Sequence, residues 1–367
     1  MIVERRLSAH LDWPLVAALV ALTCVGLATI YSVTWNFKSG APGREFWTQL
    51  YAVPVALAAL GACLVVDYRT LAQRSPLIYA AVVAALLYVS FFGAIHGGAR
   101  RWIPMFGVNL QPSEFARIAL ALILAAYFGD SRRAARSMTE LATAAFAFGV
   151  LFFLIKRQPD LGMALTLAPI LMAVIYLAGL RTKWLMIGLA VAALLSPIVW
   201  HYGISEYQRQ RVVTSLDPAK DPLHEGYQQI QAKVTVGSGG LLGKGFQSGT
   251  EGRLGFLPAA HNDFVFSVLA EEHGFLGVLF VLGLYLFVIL RSLDAAKLAR
   301  DRLGAMLVVA IVSGFAFQVL YNITMSAGLA PVKGLTLPLM SYGGSSLVAT
   351  FAGFGLILNV RMRRFTN

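Results

Sequence analysis

Runs of about 20 apolar residues, the length of helix that crosses the hydrocarbon core of a bilayer, recur along nearly the whole of this 367-residue chain. Each run reads as a membrane-spanning helix, and no stretch between them is large enough to fold alone as a soluble domain. Composition agrees: 58% hydrophobic residues, 13% charged residues and a mean hydropathy of +0.70 lie outside the soluble globular range. The expectation is an all-α integral membrane protein, a single polytopic domain over residues 1–367. Ten transmembrane spans are expected, at about 14–34, 47–66, 76–95, 113–128, 139–155, 160–180, 184–201, 264–290, 303–325 and 341–360. An even number of crossings puts both termini on one side.

Lysine and arginine in the loops set the orientation. Arg5, Arg6, Arg69, Arg74, the run Arg132 to Arg136, Arg181, Lys183, Lys297 and the run Arg361 to Arg364 fall on one side. The short loops of the other side hold fewer cations, among them Arg44, Arg100, Arg101, Lys156 and Arg157. Both termini are therefore expected to be cytoplasmic, with segment 202–262 outside. The net charge of +12 sits mainly in these short loops, which anionic lipids and topology explain better than nucleic acid does. Cys24 and Cys63 lie inside spans without ligand spacing. The first apolar run, from about Pro14 to Thr34, is too long for a cleaved leader and reads as a retained helix.

Segment 202–262 is the one long polar insertion, and loops of that length are more often functional than idle. Tyr227, Ile230 and Val234, with Lys233 at the edge, outline a short amphipathic helix suited to a membrane surface. The run Gly237 to Gly245 comes near a phosphate-binding loop but fails its spacing. Ser238 stands where the first glycine should be and Gly245 where the hydroxyl should be. It reads instead as a turn whose backbone approaches a head group or folds over a cavity. Gly328, Pro331, Gly334, Pro338, Gly343 and Gly344 break the chain between the last two spans into a looped or re-entrant segment, which requires protein or a cavity around it.

Charge is scarce, so the positions of carboxylates matter. Asp263 opens the eighth span within Phe256 to Gly274, a stretch that also holds His261, Glu271, Glu272 and His273. It either caps the helix or sits, partly desolvated beside His261, Phe264 and Phe266, as a base of raised affinity for protons. Glu114 and Arg117 are three residues apart on one helix face at the start of the fourth span. They form either an interfacial capping pair or an interior pair facing the bundle. Arg100 and Arg101 precede them, giving the outer face guanidinium groups suited to phosphate. Asp160 reads as the cap of the sixth span, with Lys156 and Arg157 beside it. Asp217, Asp221 and Glu225 lack metal-ligand spacing, and the histidines are too scattered for zinc.

The series Gly98 to Trp102, Gln111-Pro112-Ser113-Glu114, Gln158-Pro159-Asp160-Leu161-Gly162, Gly237 to Leu241, Phe256-Leu257-Pro258 leading to His261-Asn262-Asp263-Phe264, and Ser341-Tyr342-Gly343-Gly344-Ser345 resembles the SEDS family (shape, elongation, division and sporulation) over almost the full length. Tyr207 to Arg211 and Leu216-Asp217-Pro218 through Asp221-Pro222-Leu223 look like its elongation members more than its division members. The resemblance implies a peptidoglycan glycosyltransferase that polymerises lipid II into glycan strands at the outer face of the bacterial inner membrane. It would release undecaprenyl pyrophosphate and work beside a class B penicillin-binding protein that crosslinks the product.

The family's essential aspartate falls on Asp263 and its fourth-span glutamate on Glu114. Asn262 replaces a common threonine, and Arg117 a lysine found in some members. Inverting transfer from a lipid pyrophosphate to a sugar hydroxyl needs one base and positive charge for the leaving group. Asp263 is expected to be the base, with Arg101, Arg117 and Lys244, or a divalent cation (magnesium or manganese), at the phosphates. Asp160, His261 and Ser341 are expected to bind substrate. Two other activities fit a chain of this kind: a flippase for the lipid-linked precursor, and a non-catalytic scaffold of the elongation machinery. Gly274, Gly277, Gly283, Gly304 and Gly314 permit close packing of helices, within the bundle or against a partner's helix.

Overall fold

Long apolar runs without interior charge bury their own backbone bonds as helices, and helices follow those runs closely. The computed structural model describes residues 11–36, 40–96, 99–105, 108–129, 137–198, 200–201, 206–218, 225–252 and 255–365. Arg5, Arg6, Gly98, Arg132, Arg133, Arg136 and the stretch Asp221-Pro222-Leu223 lie outside the described residues. Eight helices are long and apolar enough to cross a membrane: α1 (Trp13–Thr34), α2 (Arg44–Val65), α4 (Ser75–Phe92), α5 (Pro112–Gly129), α6 (Met138–Arg157), α11 (Val265–Lys297), α12 (Arg302–Ser326) and α13 (Gly344–Met362). Two more apolar helices, α7 (Leu161–Leu177) and α8 (Thr182–Ile198), have 17 residues each, short of the full crossing length expected of them. The chain is thus a multi-pass membrane protein, with eight helices of crossing length and two shorter ones among the described residues, where ten spans were expected.

Side chains that end the helices hold one end of the bundle together. Asp12, wholly enclosed, pairs with Arg291 at 2.9 Å and Arg361 at 2.7 Å. Beside the short helix α3 (Tyr68–Gln73), Asp301 binds Arg69 at 2.9 Å and accepts the Tyr68 hydroxyl proton at 2.9 Å. The opposite end carries everything irregular. A hairpin joins β1 (Trp35–Asn36) to β2 (Ala41–Pro42), and an antiparallel sheet is formed by β3 (Ala94–His96), β4 (Ala99–Met105) and β5 (Val108–Leu110). These strands are a small addition to an all-α membrane fold. Four of them, at two or three residues, are too short to show an alternating pattern, and the seven residues of β4 do not alternate.

The insertion 202–262 contains two helices, α9 (Glu206–Leu216) and α10 (Glu225–Ser238). The amphipathic stripe is visible on α10, where Ile230 and Val234 are exposed while Gln229, Ala232 and Thr235 are buried. The glycine run after it docks on α11, which breaks at Gly274 (φ 62°, ψ −163°). Across the break, Lys244 N donates to Glu271 O at 2.9 Å, Gly245 N to Glu272 O at 3.0 Å, Phe275 N to Gly240 O at 2.9 Å and Leu276 N to Leu241 O at 3.2 Å. The loop supplies the backbone partners that the helix loses there. Beyond the break, residues 275–297 rise about 35 Å, enough to cross a hydrocarbon core of about 30 Å.

The non-helical segment from Ala327 to Gly343 is the looped element expected between the last two spans, and apart from Leu329 and Gly334 it is buried or partly buried in protein. Its carbonyls are met by buried side chains from the helices: Gln318 Nε2 donates to Thr336 O at 2.9 Å, Asn322 Nδ2 to Leu335 O at 2.7 Å, Tyr285 Oη to Pro338 O at 2.5 Å and Gln49 Nε2 to Ser341 O at 3.2 Å. Irregular backbone within an apolar bundle is stable only with such partners.

Candidate active site

The irregular end of the bundle encloses a cavity of about 740 Å³. Four of the residues singled out in the sequence line it: Arg101, Glu114, Asp160 and Asp263. They come from four separate places, namely β4, the first turn of α5, the start of α7 and the residues just before α11.

Asp263 is held by its backbone. Its amide donates to Ala259 O at 3.0 Å, and its carbonyl accepts from Asn322 Nδ2 at 2.9 Å. The same Asn322 nitrogen binds Leu335 O, so one buried side chain on α12 ties Asp263 to the segment from Ala327 to Gly343. The carboxylate passes close to Gly334, where a Cβ would stand 3.7 Å from Oδ2. Asp263 does not cap the helix. The capping position of α11 is Phe264, with no side-chain cap bond, which leaves the carboxylate on the cavity wall.

Asp160 does cap: its Oδ1 accepts from Met163 N at 3.2 Å at the head of α7. Its Oδ2 accepts from Gln111 Nε2 at 3.2 Å and faces Arg101 Nη1 at 3.8 Å. Arg101 is aimed by the turn before Asp160, donating Nε to Gln158 O at 3.0 Å and Nη2 to Pro159 O at 2.5 Å. Its guanidinium is thus fixed in direction while its side chain keeps 25% exposure at the cavity.

Glu114 lines the cavity but is spoken for, since its Oε2 accepts from Arg117. Arg117 is buried below, donating also to Gln318 Oε1, and does not line the cavity. The interior pairing read as one of two alternatives is the one present, and Arg117 is remote from the position expected of a phosphate ligand. Lys244 is also elsewhere, bound to Glu271 Oε1 at 2.7 Å and Thr250 Oγ1 at 2.9 Å behind the helix break. Ser341 is buried, its hydroxyl accepting from Leu337 N at 2.8 Å. His261 stands beside the cavity with its ring edge-on to Tyr342, centroids 5.7 Å apart, and its carbonyl accepts the Tyr342 amide at 3.0 Å. Burial holds the imidazole below its ordinary value, against the pull of Glu45, so the ring is neutral at pH 7. Arg100 faces away from this cavity.

Some lining residues had no functional part in the sequence reading: Glu45 and Thr48 at the head of α2 and Ser346 in the first turn of α13, with Arg44 named only as a loop cation and Tyr342 and Ser345 only as members of a motif. The charged pair Arg44-Glu45, next to an apolar run in a chain poor in charge, was the available signal. Ser345 Oγ accepts from Gln111 N at 3.0 Å and donates to Asn109 O at 3.1 Å, which joins two of the sequence motifs physically. A carboxylate and a directed guanidinium lining one cavity large enough for a sizeable ligand can accept a proton from a hydroxyl and stabilise a departing anion. Among the described residues no group of three or more His, Cys, Asp or Glu side chains is placed to hold one, and Glu114 and Asp160 already have cationic or capping partners.

The chain is similar to known proteins along its length. It is 37% identical over 358 residues to the peptidoglycan glycosyltransferase MrdB of Escherichia coli (strain K12), covering 97% of this chain and 94% of MrdB. It is 34% identical over 352 residues to a probable peptidoglycan glycosyltransferase FtsW of Geobacter metallireducens, covering 94% and 92%. Its fold matches the crystal structure of the Thermus thermophilus rod shape determining protein RodA with a TM-score of 0.72 at 30% identity, covering 97% of this chain and 98% of that one. A chain from a peptidoglycan synthase complex, described as coordinating polymerization and crosslinking, matches with a TM-score of 0.84 at 32% identity, covering 97% and 99%. Residues 10–365 match the cell cycle protein family of FtsW, RodA and SpoVE, and the chain belongs to that family.

Proposed function

We propose that this chain is a peptidoglycan glycosyltransferase that polymerises lipid II during cell elongation, working in the bacterial inner membrane with its termini cytoplasmic and its cavity outside. The observation that carries this reading is the one cavity that both Asp263 and Arg101 line. The names of the similar proteins support the activity. A similar chain within a complex that joins polymerization to crosslinking supports a crosslinking partner of the class B penicillin-binding type.

In the proposed step the hydroxyl oxygen of an acceptor sugar attacks the anomeric carbon of the lipid-linked donor. The carbon–oxygen bond to the pyrophosphate breaks, the new glycosidic bond forms with inversion, and the hydroxyl proton passes to Asp263. Undecaprenyl pyrophosphate leaves with its charge facing Arg101. One carboxylate serves as base here, unlike the paired carboxylates of most glycoside hydrolases. Asp160 and Gln111 hold Arg101 and the adjoining wall, and Glu114 with Arg117 supports the cavity from beneath. A magnesium or manganese ion belongs to this reading only as a companion of the substrate's pyrophosphate.

The test is glycan synthesis from purified lipid II in detergent with the class B partner present. Detergent offers no bilayer to cross, so a flippase or a scaffold yields no polymer there. Glycan strands are the expected product. Unchanged lipid II, with a partner shown to be bound, would contradict the assignment.

A further inference from the structure

A second cavity, of about 280 Å³, lies beside the first and shares no lining residue with it. Four elements build it: Ser90 near the end of α4, Ile95 on β3, Ala99 and Arg100 on β4, and Arg157 with Gln158 and Pro159 where α6 ends. Arg100 gives Nη1 to Phe91 O at 2.8 Å and retains its other donors. Arg157 is exposed, and among the described residues no carboxylate lines the cavity. The C-terminal dipole of α6 accounts for a cation at Arg157. It does not account for a second guanidinium brought from a strand more than fifty residues away in sequence to the same concavity.

The surroundings fix the depth. Tyr88, Phe91 and Phe92 at the end of α4 and Phe153 one turn before Arg157 are 51%, 59%, 73% and 71% exposed. Aromatic side chains exposed at the ends of spans mark the head-group level of a bilayer. A concavity at that level, cationic and without a compensating acid, matches a phosphodiester that carries net negative charge.

We propose that this cavity binds the head group of an anionic phospholipid such as phosphatidylglycerol. The turn Gln158-Pro159 is the wall between the two cavities, and its carbonyls hold Arg101. A bound head group would steady the turn that aims this arginine into the larger cavity.

The test uses the purified full chain in mixed micelles of phosphatidylglycerol and phosphatidylcholine, with retained lipids counted by native mass spectrometry. Wild type is expected to retain phosphatidylglycerol preferentially. The double variant Arg100→Gln/Arg157→Gln should lose about tenfold or more of that preference, the scale of losing charge-assisted hydrogen bonds. Arg157→Lys, which keeps the charge, should retain most of it, and this variant separates the site from a folding defect. Added millimolar inorganic phosphate should leave the retained lipid in place. Equal retention of the two lipids by wild type, or an unchanged preference in the double variant, would overturn the proposal. Displacement by inorganic phosphate would overturn the lipid assignment in favour of a free-anion site.

Discussion

Glu271 is wholly buried, and its Oε1 gathers donors from Lys244 Nζ at 2.7 Å, Thr250 N at 2.8 Å and Glu251 N at 3.2 Å. Lys244 therefore serves the fold, not the leaving group. Lys244→Met should strand a buried carboxylate and lower stability by about 2–3 kcal/mol, below the full cost for a buried pair because Lys244 is 28% exposed. Thermal unfolding in detergent and the activity per folded molecule read the two effects apart: the first should fall and the second stay near wild type. Asn322 works on the other side of the cavity, where its amide holds Asp263 O and Leu335 O together. Asn322→Ala would orphan two carbonyls, at a cost of about 1–3 kcal/mol, and free the backbone of Asp263. Turnover should fall about tenfold or more while lipid II binding changes little, because misplacing a base by a fraction of an ångström weakens the reaction more than the complex. Steady-state kinetics set beside lipid II binding test this.

At the scale of elements, the break in α11 decides where the glycine loop docks. Gly274 has φ +62°, and a Cβ there would lie 2.3 Å from Gly243 N and 2.7 Å from Leu241 O. Gly274→Ala would meet backbone on the docked loop as well as an unfavourable dihedral, so a loss of several kcal/mol or of folded yield is expected. Size-exclusion behaviour and thermal unfolding measure it. The spans were legible because apolar length alone specifies a crossing helix, and Asp263, Asp160, Glu114 and Arg101 were legible because charge is costly in such a chain. The break was not, since a lone glycine in an apolar run reads equally as a packing residue. Its backbone partners, Gly240 to Gly245, are some thirty residues earlier, and nothing local announces the pairing. The same limit explains Arg117: spacing put it on a helix face with Glu114, but only the bundle shows that this face points inward to Gln318.

Over the whole molecule the two ends divide the work. One is closed by ion pairs around Asp12, Asp67 and Asp301. The other gathers the strands, α9 and α10, the docked glycine loop, the segment from Ala327 to Gly343 and both cavities. Such a bundle, with its large cavity and the charged groups that line it at one end instead of midway, suits chemistry on a lipid-linked substrate presented at the membrane surface better than passage through the bilayer. The most direct measurement is polymer formation from purified lipid II by wild type and Asp263→Asn, each with the class B partner and each shown to be equally folded and able to bind lipid II. Polymer from wild type and a loss of at least about a hundredfold in the variant is the expected result, the range for removing a general base. Comparable glycan synthesis by the two proteins would contradict the assignment of Asp263 as the base.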